Sequence, residues 1–162
     1  MRVIGIDPGT RITGWGVVEK HGSRLIHIAS GAIEAHKLGN SFPERLELIY
    51  DGLHVAIEEH EPEAASLEGI FTYQNAQSAL KLGHARGVAL LVARMHRLTI
   101  AEYAPAKVKQ AVVGSGKADK EQVRKMISLL LGIPAPATFD ASDALANAIC
   151  HLHNTSLMAR LK

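Results

Sequence analysis

One cysteine, Cys150, in 162 residues excludes an internal disulfide and any zinc site built on a Cys-x-x-Cys pair. Such sparse thiol usage fits a reducing cytoplasm, where the chain is expected to work, with Cys150 as packed filler on a helix. No apolar run approaches the ~20 residues a helix needs to cross a bilayer, so no membrane partner is expected. No basic-then-apolar leader opens the chain either, because Arg2 to Asp7 already reads as a strand; secretion is not expected. Aromatic residues make up only 4% of the chain, and the single Trp15, set between glycines, reads as sheet packing. A nucleotide-hydrolase phosphate loop is missing as well. Around Gly114-Ser115-Gly116-Lys117, Ala111 stands where the first glycine is needed and Ala118 where Ser or Thr must be, which leaves a loop able to touch DNA. The nine histidines are scattered, and His151 and His153, two apart on a helix, do not face each other, so zinc is not expected.

What remains is a globular composition, 47% hydrophobic and 21% charged. The length suits one well-filled core, read as a single domain over residues 1–153 followed by a flexible tail over 154–162. A formal net charge of +2 conceals an asymmetry: residues 1–80 carry 6 basic against 11 acidic side chains, and residues 81–162 carry 12 against 5. An acidic cluster attracts divalent cations and a basic surface attracts a polyanion, a pairing that suits nucleic-acid chemistry.

Hydrophobic patterning predicts strands at Arg2–Asp7, Gly14–Val18, Leu25–Ile28, Ala64–Glu68 and Leu98–Tyr103, the first three as an antiparallel meander turning at His21-Gly22-Ser23. A capping box, Ser41-Phe42-Pro43-Glu44, opens a helix whose Leu46, Ile49, Leu53, Ala56 and Ile57 share a face. A second helix is expected from Asn75 to Met95, with Leu80, Gly83, Gly87, Leu90 and Leu91 on one side. Gly83 and Gly87 would let another backbone approach. Pro105–Val112 is weakly helical, and Asp119 and Gln122 cap a helix that Gly132 and Pro134 stop; the last helix is predicted from Asp140 to His153. This order predicts an α/β fold, a mixed sheet of three antiparallel and then two parallel strands with helices on both faces.

Asp7 ends a hydrophobic strand, where a carboxylate costs solvation unless a basic side chain, a capped turn or a metal ion answers it. Asp-Pro-Gly is also an ordinary turn sequence. Glu68 likewise closes an apolar strand, and Asp140 and Asp143, three apart, share a helix face. In the predicted sheet the first strand is central with the fourth parallel beside it, so Asp7 and Glu68 become neighbours. Gathered carboxylates repel and hold their protons unless cations lie between them, and hard oxygen ligands select Mg²⁺ or Mn²⁺. Two such ions about 4 Å apart can activate water and stabilise the leaving oxygen of a phosphodiester.

Five motifs in order, Ile4-Gly5-Ile6-Asp7-Pro8-Gly9-Thr10, Leu67-Glu68 with Phe71, Ser78 to Gly87, Val108 to Gly114 and Asp140 to Ala146, closely resemble the RuvC Holliday-junction resolvases of bacteria. The resemblance spans Met1 to about His153. It implies a ribonuclease-H-like fold, a homodimer, and paired Mg²⁺-dependent cuts across a four-way DNA junction in recombination and repair. Two ions per site are implied, with Mn²⁺ able to substitute, as is cooperation with the RuvA and RuvB branch-migration proteins.

Asp7, Glu68, Asp140 and Asp143 would then be the metal-binding catalytic acids; some relatives carry His at the position of Asp140. Lys109 and Lys120 fall at positions that contact DNA backbone, and Lys120 would also steady transition-state charge. Lys120 lies in the first turn of a helix, where free N–H groups already favour phosphate, and Lys107, Lys109, Lys117, Lys120, Arg124 and Lys125 outweigh Asp119 and Glu121 locally. Lys81 and Arg86 are further expected DNA contacts. Phe71 would be a stacking wedge at the opened junction, with Tyr73 beside it; an aromatic ring stacks on a base for about 1–3 kcal/mol. The first motif also resembles the phosphate loop of actin-like ATPases, but those need two such domains and a second phosphate loop. A ribonuclease-H-like nuclease acting on RNA hybrids and an inactive junction binder are the other readings.

Overall fold

The computed structural model describes residues 1–37, 40–69 and 75–160, with residues 156–160 as backbone only. Five strands form one sheet: β1 (Arg2–Asp7), β2 (Thr13–His21), β3 (Arg24–Ile33), β4 (Ala64–Glu68) and β5 (Thr99–Tyr103), in the order β3-β2-β1-β4-β5. β1 pairs antiparallel with β2 and parallel with β4, and β5 runs parallel to β4. The helices are α1 (Phe42–His60), α2 (Ala76–Met95), α3 (Pro105–Val113), α4 (Lys120–Leu131) and α5 (Phe139–Arg160). The expected mixed sheet is therefore present, with β1 at its centre.

Side chains alternate across a strand, and here the alternation divides the interior into two cores. Ile4, Ile6, Val17, Ala65 and Leu67 pack on one face against Ile49 and Leu53 of α1 and Ala85, Ala89 and Val92 of α2. Val3, Val18 and Ala64 pack on the other with Val108 and Val112 of α3, Val123 and Ile127 of α4, and Leu145, Ile149 and Leu152 of α5. By the same alternation, Asp7 follows Val3 and Gly5 on the α5 side.

Helix α5 lies directly on the sheet because glycines leave no side chain in between. A Cβ on Gly5 would stand 1.8 Å from the Ala144 carbonyl oxygen, one on Gly14 2.0 Å from that of Asp140, and one on Gly16 2.6 Å from the Leu145 side chain. Two buried hydrogen bonds pin the helix further along: the Ser66 hydroxyl donates to the Asn147 carbonyl at 2.8 Å, and the Asn147 amide donates to the Ile6 carbonyl at 3.1 Å.

Several boundaries differ from expectation. β3 continues to Ile33 through Ala29-Ser30-Gly31-Ala32, a stretch of low strand propensity held by its ladder to β2. α5 does not end at His153 but continues to Arg160, so residues 154–160 are helical rather than a tail. No Gly or Pro interrupts them, and Asn154 and Thr155 side chains bond back to the Cys150 and His151 carbonyls. On α2, the stripe Leu80, Gly83, Gly87 and Leu91 faces outward, and a Cβ on either glycine would meet nothing within 4 Å; Ala85, Ala89, Val92 and Ala93 make the buried face instead. Among the described residues no helix is long and apolar enough to cross a membrane. Cys150 is buried as expected, its thiol pushed up to about 11 by burial.

Candidate active site

Parallel register pairs Ile6 with Leu67, so Asp7 and Glu68 leave the sheet side by side at the ends of β1 and β4. Asp7 itself pairs with Gly14 across the antiparallel ladder, and Gly14 is the glycine lying under the Asp140 carbonyl. The strand acids and the first turn of α5 thus meet where the helix rests on the sheet. The Thr138 hydroxyl accepts from the Ala141 N–H at 3.1 Å to begin that helix. Arg124 of α4 donates twice to the Pro136 carbonyl, at 2.9 and 2.6 Å, and lies over the Phe139 ring, fixing the approach to α5. Arg124 thereby leaves the group of cations available to DNA.

Asp7, Glu68 and Asp143 line one cleft of about 260 Å³ with Lys109, Lys120 and the apolar Val108, Val123 and Ala146. Asp140 borders the adjoining cleft, so three of the four expected acids share one cavity and the fourth stands at its boundary. The Lys120 ammonium donates to Asp143 Oδ2 at 3.0 Å. That bond, with the nearby Asp7 and Asp140 charges, holds the Lys120 ammonium above its ordinary pKa despite partial burial.

The Asp7 carboxyl is pushed up to about 7, first by burial and then by the charges of Asp143, Asp140 and Glu68. Burial and Asp143 also raise Glu68, against the pull of Lys109, Lys120 and Arg86. A buried acid held near neutrality by other acids gains most from added positive charge, and a set made wholly of carboxylates suits a hard divalent cation. The donor set therefore fits Mg²⁺ or Mn²⁺ in kind. Among the described residues, no three His, Cys, Asp or Glu side chains are gathered tightly enough to grip one ion as they stand, and Asp143 is paired with Lys120 instead.

The expected DNA contacts divide. Lys107, Lys117 and Lys81 are exposed, with Lys107 over the Tyr103 ring at 5.2 Å and Lys81 over the Phe42 ring at 6.0 Å. Arg86 is not a surface contact: it is 6% exposed, its guanidinium donates to the Glu68 carbonyl at 2.6 Å, and it pairs with Glu102 at 2.7 Å. It braces the end of β4 from below. The sequence offered a cue, since Arg86 lies three residues before buried Ala89 and seven before buried Ala93 on the same helix face. Phe71 and Tyr73 lie outside the described residues. Missed from the sequence were the glycines under α5 and the pinning pair Ser66 and Asn147, whose meaning lies in contacts between distant segments.

A sequence model of the family described as Crossover junction endodeoxyribonuclease RuvC matches residues 3–151. A protein of that description from Pelobacter propionicus is 56% identical over 158 residues, covering 98% of this chain and 89% of the relative. The solved structure of T. thermophilus RuvC in complex with a Holliday junction substrate superposes with a TM-score of 0.91 at 32% identity, covering 98% of this chain and 96% of that one. The yeast mitochondrial Holliday junction resolvase superposes with a TM-score of 0.73 at 12% identity over 98% of this chain and 80% of that one, a likeness of fold alone.

Proposed function

The chain belongs to the RuvC family of crossover junction endodeoxyribonucleases, and from that premise we propose that Asp7, Glu68, Asp140 and Asp143 are the acids with which it cuts. It is a Holliday-junction-resolving endonuclease of ribonuclease-H-like fold. The observation carrying the site assignment is the meeting of Asp7 and Glu68, on adjacent strand ends, with a helix turn that brings Asp143 into their cleft and Asp140 to its edge.

The four acids would hold Mg²⁺, two ions in our reading with Mn²⁺ able to substitute, and metal bound there supplies an activated water and neutralises charge on the phosphate. Water attacks phosphorus in line, the bond to the 3′ oxygen breaks, and the products are a 5′-phosphate and a 3′-hydroxyl. Lys120, already 3.0 Å from Asp143, is placed to offset the negative charge that grows on the phosphate. Lys109, from α3, holds the backbone beside the cut. Phe71 and Tyr73 keep the stacking role proposed for them, and Lys107 and Lys117 the role of outer phosphate contacts.

Symmetric cuts in two strands need two equivalent sites, so the working unit is a homodimer. The outward face of α2 supports this. Leu46, Ala79, Leu80, Gly83, Gly87 and Leu91 border an open apolar groove of about 890 Å³, with Leu80 and Leu91 more than half exposed. A second copy of the chain is the occupant proposed, and the bare glycines let its backbone come close. Residues 1–153 would act as one nuclease domain, in the cytoplasm and together with RuvA and RuvB.

The deciding experiment offers the protein, with Mg²⁺, a synthetic four-way junction, a linear duplex and an RNA–DNA hybrid. Paired nicks confined to the junction are expected. Equal cutting of the duplex would reject structure-selective resolution, and preference for the hybrid would move the protein to another branch of the fold.

A further inference from the structure

The four acids are divided between two clefts, Asp7, Glu68 and Asp143 lining one and Asp140 the other. The second, of about 440 Å³, shares no lining residue with the Lys109 and Lys120 cleft and is lined by Gly9, Thr10, Arg11 and Ile12 of the β1–β2 loop, by Ser78, Lys81 and Leu82 of α2, and by Asp140. The loop is built to hold its shape. The fully buried Thr13 hydroxyl donates to the Gly9 carbonyl at 2.9 Å and accepts from the Gly9 N–H at 3.2 Å. A Cβ on Gly9 would stand 2.0 Å from the Ile12 carbonyl oxygen. The Arg11 carbonyl is held from outside by the His36 N–H at 3.3 Å, with His36 Nδ1 at 3.0 Å.

Against this fixed backbone, the Arg11 side chain is exposed, and among the described residues neither it nor Lys81 pairs with a carboxylate. The two cations outnumber the single carboxylate, Asp140, in this lining, which leaves the cleft net positive. A guanidinium offers paired donors to the oxygens of a phosphate, and an ammonium adds a point charge.

We infer that this second cleft binds a backbone phosphate of the cut strand on the opposite side of the scissile bond from Lys109 and Lys120, with Arg11 as the principal donor and Lys81 as its partner. The strand would then be gripped on both sides of the acids, which fixes the scissile phosphate against sliding along its own axis. This rests on the nuclease reading above and adds a residue and a direction of travel to it.

The test uses four-way junctions in which single phosphates flanking the cut are replaced by uncharged methylphosphonate, with Ca²⁺ in place of Mg²⁺ during binding. For the wild-type protein, one position on the far side should weaken binding by about tenfold. R11A should weaken binding to the unmodified junction similarly and show no further loss at that position, and the slope of log affinity against log salt should fall by about one. R11K should keep the slope and recover part of the affinity, and K81A should show the same insensitivity at that phosphate or its neighbour, giving an independent reading should R11A fold poorly. R11A and K81A that retain the full wild-type penalty at every position, or that bind and cut like wild type, would overturn the assignment. A wild-type protein that leaves the junction uncut would instead overturn the nuclease reading.

Discussion

Replacing Asp7 by Asn should end cutting and, in the absence of metal, make the protein more stable. The Asp7 carboxyl is held at about 7 against an ordinary value of 3.8. That gap corresponds to about 4 kcal/mol against the ionised form, a ceiling because Asp7 keeps partial contact with water. Well below pH 3.8 the carboxyl is protonated in both folded and unfolded chains and costs nothing. Between 3.8 and 7 the unfolded chain releases its proton first, so wild-type stability falls as pH rises; above 7 the whole cost is present. D7N carries no such term. Its margin over wild type, measured by urea or thermal unfolding in EDTA, should widen by about 2–3 kcal/mol from pH 5 to pH 8, and at about 2–4 °C per kcal/mol it should melt roughly 5–10 °C further above wild type at pH 8. Added Mg²⁺ should then stabilise wild type more than the variant and narrow that margin. Junction binding at moderate salt should survive. A variant that is less stable than wild type at pH 8 without metal, or whose margin is the same at both pH values, would refute the picture of Asp7 as an acid held near neutrality by burial and then by its neighbours.

Gly5→Ala should destabilise the fold by at least the ~1–3 kcal/mol usual for overpacking, because its methyl would enter the Ala144 carbonyl; denaturant midpoints check this, and a neutral result would mean α5 is free to lift. Arg86→Gln removes the brace beneath Glu68, so it should raise the Mg²⁺ concentration needed for half-maximal cutting while leaving the salt slope of junction binding unchanged. A reduced slope would return Arg86 to the DNA path. Leu80→Glu combined with Leu91→Glu, on the exposed stripe of α2, should give monomers in analytical sedimentation with the melting temperature nearly unchanged; a persistent dimer would place the interface elsewhere.

Strands with clear punctuation were legible. β1 and β4 lie where the sequence put them, Arg2–Asp7 and Ala64–Glu68, because Asp-Pro-Gly and flanking polar residues bound short apolar runs. The neighbouring of Asp7 and Glu68 was legible too, since both close apolar runs that the predicted sheet sets side by side. β3 was under-read because Ala29-Ser30-Gly31-Ala32 has little strand preference and is extended by its pairing with β2. Gly5, Gly14 and Gly16 revealed nothing singly; their role depends on Ala144, Asp140 and Leu145, more than a hundred residues along the chain. Arg86 was misread because charge normally marks the surface, and the small residues on its face were given less weight than its guanidinium. Arg11 escaped notice because a lone exposed arginine becomes informative only when a second cation is found across the same cleft.

Helix α5 follows all five strands along the chain, and it carries Asp140 and Asp143 as well as apolar side chains that close one of the two cores. All five strands are therefore synthesised before the segment that covers one face of the sheet and brings Asp140 and Asp143 towards Asp7 and Glu68. Until that helix docks, a nascent or partly unfolded molecule lacks both a finished interior and the two carboxylates the proposed site draws from α5, so on that proposal competence to cut waits on the docking of α5.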